Sequence, residues 1–214
     1  MAINAKQRQK KLEKKNKKRK LAKKVSTTSV PSKVKAANYA KFPIHECLVP
    51  SSLFELGIGN VVVVRRTQEE GVIAITAFVV DVYCLGVKNA FFKLSSEFEY
   101  ENTIKPKLIE VRQDNFFEKV HLACARKLIE GSIYYAKELG FSPHRDYKDA
   151  KGIFGDIEGN ACPVEYLYGN EGKPFYIRGP NESTDQAKRI IDQLHKVCGE
   201  GRYDYLAMLD EDIM

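Results

Sequence analysis

Acidic residues are nearly missing from the first 24 positions of this 214-residue chain: Glu13 stands alone among twelve lysines and arginines, so the segment carries +11. Residues 25–214 hold 23 basic and 27 acidic residues, a balance of −4, within a total of +7. That segregation excludes a basic face spread over the whole body and confines attraction for polyanions to one terminal segment. Also missing is any uncharged run approaching the roughly 18 residues of a membrane span, and the N-terminus has no apolar stretch of signal-peptide type, so no membrane partner is expected. The five cysteines, Cys47, Cys84, Cys124, Cys162 and Cys198, are odd in number and widely spaced, with no C-x-x-C pair. Their spacing argues against disulfides and structural zinc and for a reducing compartment, the cytoplasm, or the nucleus in a eukaryote. Neither H-E-x-x-H nor an EF-hand loop occurs, and HRDYKDAK from His144 has the opening of a kinase catalytic loop without the Asn, the Gly-rich loop or the DFG that would make it one.

What is present is concentrated between Gly57 and Leu94. The runs from Val61 to Val64 and from Val72 to Val80 flank the polar loop TQEEG and read as a β-hairpin. The second run is apolar at successive positions, so it is expected to be a central strand covered on both faces, ending at Asp81. SSLFELG before it reads as a short helix with Ser52 and Glu55 as a capping box and Gly57 as its stop. VYCLGVKNAFFKL after it fits a loop with a short helix or a third strand, and the path from Val82 to Gln113 stays open. Spacings of three and four from Phe117 through Val120, Cys124, Leu128, Gly131 and Tyr135 predict one long helix over Asn115 to Leu139. Ser142 and Pro143 suggest a short helix start. PVEYLYG and KPFYIRG around Asn170, Glu171 and Gly172 read as a second hairpin. In NESTDQAKRIIDQLHKVCG, Ser183 and Gln186 form a capping box, Ile190, Leu194 and Val197 an apolar stripe, and Gly199 the stop. Tyr203 to Leu209 reads as a final strand. The order of elements predicts an α+β fold or mixed α/β sandwich with two β-hairpins, one long helix, a C-terminal amphipathic helix and a final strand. Residues 1–38 read as a basic low-complexity tail, disordered on composition, with a Ser/Thr/Pro linker; residues 39–214 form a single α+β domain starting near Tyr39.

The stretches FPIHECLVP, GIGNVVVVRR, VVDVYCLGVKNAFF and GPNESTDQAKRIIDQLH resemble a group of uncharacterised bacterial proteins. The resemblance covers most of the body and implies a bacterial source, but no activity.

Four constellations could carry chemistry. The tail residues Lys6, Arg8, Lys10, Lys11, Lys14, Lys15, Lys17, Lys18, Arg19, Lys20, Lys23 and Lys24 form a polycation that gains affinity for RNA or DNA by releasing condensed counterions. A solubilising or nuclear-import role is the simpler account of the same run. Asp81, Asp146, Asp149, Asp156 and Glu158, with His144 nearby in sequence, are of the types that hold Mg²⁺ or Mn²⁺ for phosphodiester hydrolysis, although such acids more often cap helices and pair with lysines. Cys84 and Cys162 lie among apolar neighbours and read as small buried hydrophobes, not nucleophiles. His45 in an expected loop, His121 inside the long helix, His144 and His195 have no metal-ligand spacing. The expectation is an RNA- or ribonucleoprotein-binding protein anchored by its Lys/Arg-rich tail, with RNA or the ribosome as partner, DNA as a possible one, and no cofactor. The alternatives are a divalent-metal-dependent, nuclease-like hydrolase using Asp81 with Asp146, Asp156 or Glu158, and a protein-interaction module.

Overall fold

The computed structural model describes residues 35–109 and 116–207; the basic segment, the linker, Asn115 and residues 208–209 lie outside them. Five antiparallel strands, β1 (Ile44–Pro50), β2 (Ile58–Arg66), β3 (Val72–Asp81), β4 (Gly86–Ser96) and β5 (Phe117–Lys119), form one sheet in the order β4-β3-β2-β1-β5. The β2–β3 hairpin forms as its two β-branched runs dictate, with Val61 opposite Phe78 and Val63 opposite Thr76. β3 lies between β2 and β4, and its side chains feed two cores. Phe78 and Val80 join Cys47, Val61 and Val63 on one face; Ile73, Ile75 and Ala77 join Leu48, Val62 and Val64 on the other. The successive apolar positions of β3 therefore have the meaning read from them, a strand with no solvent face.

On the first face lies the long helix α3 (Leu122–Glu138), which buries Ala125, Leu128 and Ile129, together with the short helix α4 (Tyr147–Ala150) and a 3-10 turn, Lys151–Phe154. Phe154 stacks on Phe78 at 5.5 Å. The core begins before Tyr39, since Ala36 in the 3-10 turn Ala36–Tyr39 is already buried within it. Arg65, buried at the end of β2, donates from Nε to the Ile153 carbonyl at 2.8 Å and from a terminal nitrogen to the Phe42 carbonyl at 2.6 Å, stitching both segments to the sheet. On the second face, a continuous helical stretch, α2, runs through Glu97–Glu99, a π-type turn Tyr100–Ile104, and Lys105–Ile109. Tyr100 is fully buried there and donates its hydroxyl to Glu46 at 2.6 Å. A third core joins Cys84, Leu85 and Leu139 to Ala187 and Leu194 of α5 (Thr184–Cys198), beside the small parallel pair β6 (Phe175–Ile177) and β7 (Asp204–Leu206).

The α+β architecture matches expectation, and several details differ. Of the two readings left open for the segment after Asp81, the third strand is the one that forms: a tight turn leads into β4. The long helix starts at Leu122 and not at Asn115, because Phe117–Lys119 pairs with the free edge of β1; His121 is its N-cap, accepting a hydrogen bond from the Ala123 amide. The short helix opens at Tyr147 after Asp146, not at Ser142. His45 is on β1, not in a loop. The second hairpin is reduced to a turn with one bridge, Asn170 to Lys173, and β6 pairs in parallel with β7. The stretch expected as its first strand lies along α3 instead: Tyr168 donates to the Leu128 carbonyl at 2.9 Å and Lys127 donates to the Cys162 carbonyl at 3.3 Å. Cys124 and Cys162 are joined by a disulfide with Cα atoms 4.9 Å apart, against the sequence expectation of none; 38 positions of separation hid a contact made only when this stretch docks on α3. In α5 the Ser183–Gln186 capping box is present, and Leu194 is buried while Val197 is exposed.

Candidate binding pocket at Asp81

Asp81 ends β3 where the chain must reverse into β4. Its Oδ1 accepts from the amides of Tyr83, Cys84 and Leu85 at 3.0, 2.9 and 3.2 Å, so a single oxygen organises the turn VYCL. The turn in turn holds α1 (Leu53–Leu56), because the Tyr83 hydroxyl donates to the Phe54 and Glu55 carbonyls at 3.0 and 2.9 Å. Gly57 has to be glycine at this junction: its φ is +77°, and a Cβ would lie 2.1 Å from the Tyr83 ring.

Asp81 is only 5% exposed, and it lines a pocket of about 140 Å³ between three pieces of chain. Leu56, Gly57 and Ile58 come from the α1–β2 junction, Asp81, Tyr83 and Lys88 from the end of β3, the turn after it and the start of β4, and Phe175, Ile177, Arg178, Gly179 and Pro180 from β6 and the loop after it. Tyr83 and Phe175 lie with ring centroids 5.8 Å apart and planes 32° apart. Lys88 Nζ is 2.6 Å from Glu182 Oε1, while Glu182 Oε2 accepts from the Gly179 amide and the Tyr176 hydroxyl, each at 2.8 Å. Arg178 Nε donates to the Glu182 carbonyl at 3.1 Å. The polar groups of the pocket are thus fixed by folding before any ligand arrives.

Electrostatics separates the two carboxyls. Burial raises the pKa of Asp81 above the ordinary aspartate value, against the pull of the three amides and Lys88. Burial also raises that of Glu182, but Lys88, the Gly179 amide and Tyr176 outweigh it and the net shift is downward. Cys84, buried next to Asp81, has its thiol pushed well above the usual range, first by burial and then by that carboxylate, which makes it a small apolar group and not a nucleophile.

The other acids predicted to join Asp81 are engaged elsewhere. Asp146 lies 3.6 Å from His144 Nδ1 and 3.5 Å from Arg145; Asp149 sits in the first turn of α4; Glu158 accepts from Asn160 at 2.9 Å. Asp156 lines a separate cleft of about 600 Å³ with Lys41, Arg126, Glu130 and Lys151. Among the described residues, the one set of three metal-capable side chains with donor atoms within 4.8 Å of one another is His45, Glu46 and Glu101, and it includes none of them. In that set the Lys105 ammonium already lies 2.8 Å from Glu46, and Lys119 lies 3.8 Å away, so the cations Glu46 needs are supplied by the chain. Among the described residues, no group of three metal-capable side chains includes Asp81. Sequence reasoning found Asp81 from its place after a long uncharged run and missed Glu182 and Phe175, which reach the pocket only through the docking of β6 and α5. The twelve basic residues of the tail lie outside the described residues. No helix among the described residues is long and apolar enough to cross a membrane. Comparison with protein-family models, with curated proteins and with solved structures finds no match to this chain.

Proposed function

We propose that the protein binds RNA, free or within a ribonucleoprotein, with the Lys/Arg-rich segment supplying most of the affinity. The observation that carries this reading is the segregation of charge, +11 in residues 1–24 against −4 in the rest. A polycation that neutralises phosphates releases their condensed counterions whatever the base sequence, whereas the mildly acidic body contributes no long-range attraction of its own. The dispersal of Asp146, Asp156 and Glu158 away from Asp81 favours binding over metal-dependent hydrolysis. The test is fluorescence anisotropy with a labelled single-stranded RNA across a salt series. About six phosphate contacts give a slope of log affinity against log salt of roughly −4, and removal of residues 1–24 abolishes most of the binding. Equal affinity of full-length and shortened chains at low salt would end this reading.

A further inference from the structure

We propose that the Asp81 pocket holds one unstacked guanine base of the bound strand, an inference that rests on the RNA-binding reading above. Its volume, about 140 Å³, is below the roughly 300–1,000 Å³ of pockets that enclose drug-sized ligands. It therefore suits a single ring system whose sugar and phosphate stay outside. The walls are apolar and partly aromatic, with Leu56, Ile58, Ile177 and Pro180 around the adjoining rings of Tyr83 and Phe175. Single-stranded RNA is read by this combination, a splayed base stacked on aromatic side chains and hydrogen-bonded along its Watson–Crick edge.

The polar groups select among the bases. The three turn amides are all on Oδ1 of Asp81, which leaves Oδ2 of this largely buried residue as an acceptor with no hydrogen bond of its own among the described residues. Lys88 lines the same pocket, and the one contact to Glu182 leaves its ammonium further protons to donate. A fixed acceptor beside a fixed donor matches guanine, whose N1–H and N2–H groups stand next to the O6 carbonyl. Adenine and cytosine would each turn a ring-nitrogen lone pair toward the carboxylate, and uracil would offer one N–H between two carbonyls. The buried carboxylate thus rejects these bases as well as accepting guanine, which is how a polar pocket discriminates most strongly.

The test uses the full chain and two labelled probes at near-physiological salt, a uridine dodecamer and the same strand with guanosine at its centre. The guanosine strand should bind about tenfold more tightly, the discrimination of one good base contact. Inosine at that position, which lacks the N2 amino group, should lose part of the gain. Asp81→Asn retains an oxygen for the turn amides and turns the second position into a donor; Ile58→Trp fills the pocket from its wall. Each should bring the two strands within about twofold of one another, chiefly by lowering the affinity of the guanosine strand. If Asp81→Asn fails to melt cooperatively, Ile58→Trp decides, and a preference that survives it overturns the proposal. Equal binding of both strands by the wild type overturns the guanine pocket alone, whereas binding of neither removes the RNA-binding reading with it.

Discussion

Reduction of the Cys124–Cys162 disulfide should cost the protein a large part of its stability. Cys124 is in the first turns of α3, and the bridge closes a loop of 38 positions that contains the rest of α3, α4 and the following 3-10 turns. Loop-closure entropy for that separation amounts to about 4 kcal/mol at 25 °C, against a typical total of about 5–15 kcal/mol. The stretch after Cys162 has no ladder to fall back on: it is held to α3 by the Tyr168 and Lys127 hydrogen bonds and by the Lys127–Glu165 ion pair. Reduction, or Cys162→Ser, should therefore shift the urea midpoint down by an amount equivalent to roughly 3–4 kcal/mol, and amide exchange should speed up first in residues 159–168. The assay begins with thiol titration in denaturant without reductant, where three cysteines should react and two should not. Five reactive thiols, or a midpoint indifferent to reductant, would refute the reasoning.

Two further outcomes test the packing and its electrostatics. Phe78→Ala, which empties a fully buried site between Phe154 and Tyr147, should cost about 3–5 kcal/mol in urea unfolding; a loss below about 1 kcal/mol would contradict a central position for β3. Burial raises the pKa of Glu46, but the hydrogen bonds from Lys105 and Tyr100 and the charges of Lys105 and Lys119 outweigh it and hold the pKa below the usual range. Its contribution is then present above the unfolded value of about 4.3 and lost as pH falls through the lower folded value; Glu46→Gln should lower stability at pH 7 and flatten the acid limb of the midpoint-versus-pH curve.

The parts of the fold legible in the sequence are those specified locally. β2 is marked by a β-branched run and β3 by a continuous uncharged, largely apolar one, α1 by its Gly57 stop, and α5 by a capping box whose two bonds are both made. The parts that were not legible depend on partners remote in sequence. Phe117 and Val120 continue the helical spacing of α3, yet the chain there extends, because the edge of β1 offers Leu48, Val49 and Pro50 as pairing partners. PVEYLYG has strand composition, but its tyrosines find α3 carbonyls and the residue before it, Cys162, finds Cys124, so tertiary docking overrides a local preference worth much less. Asp81 could be picked out as a carboxylate that needed donors; that the donors are the next three amides, and that Lys88 is tied to Glu182, are facts of the folded turn.

The two origins of binding energy proposed for RNA, the Lys/Arg segment and the Asp81 pocket, would be separable by salt. Affinity drawn from the Lys/Arg segment comes from counterion release, so it falls steeply as ionic strength rises. A base seated against Asp81 and Lys88 exchanges hydrogen bonds with water inside a pocket whose charges are already arranged, with Lys88 bound to Glu182 and Asp81 to its amides. Seating it neutralises no additional phosphate. The ratio of affinities for the guanosine and uridine strands should therefore stay constant across a salt series in which each affinity falls by orders of magnitude. Asp81→Asn should change the ratio without changing either slope, and removing tail lysines should change both slopes without changing the ratio. A preference for guanosine that decays in step with affinity would place base selection in the charged segment and not in the fold, and the pocket would then be left as a by-product of the turn that Asp81 closes.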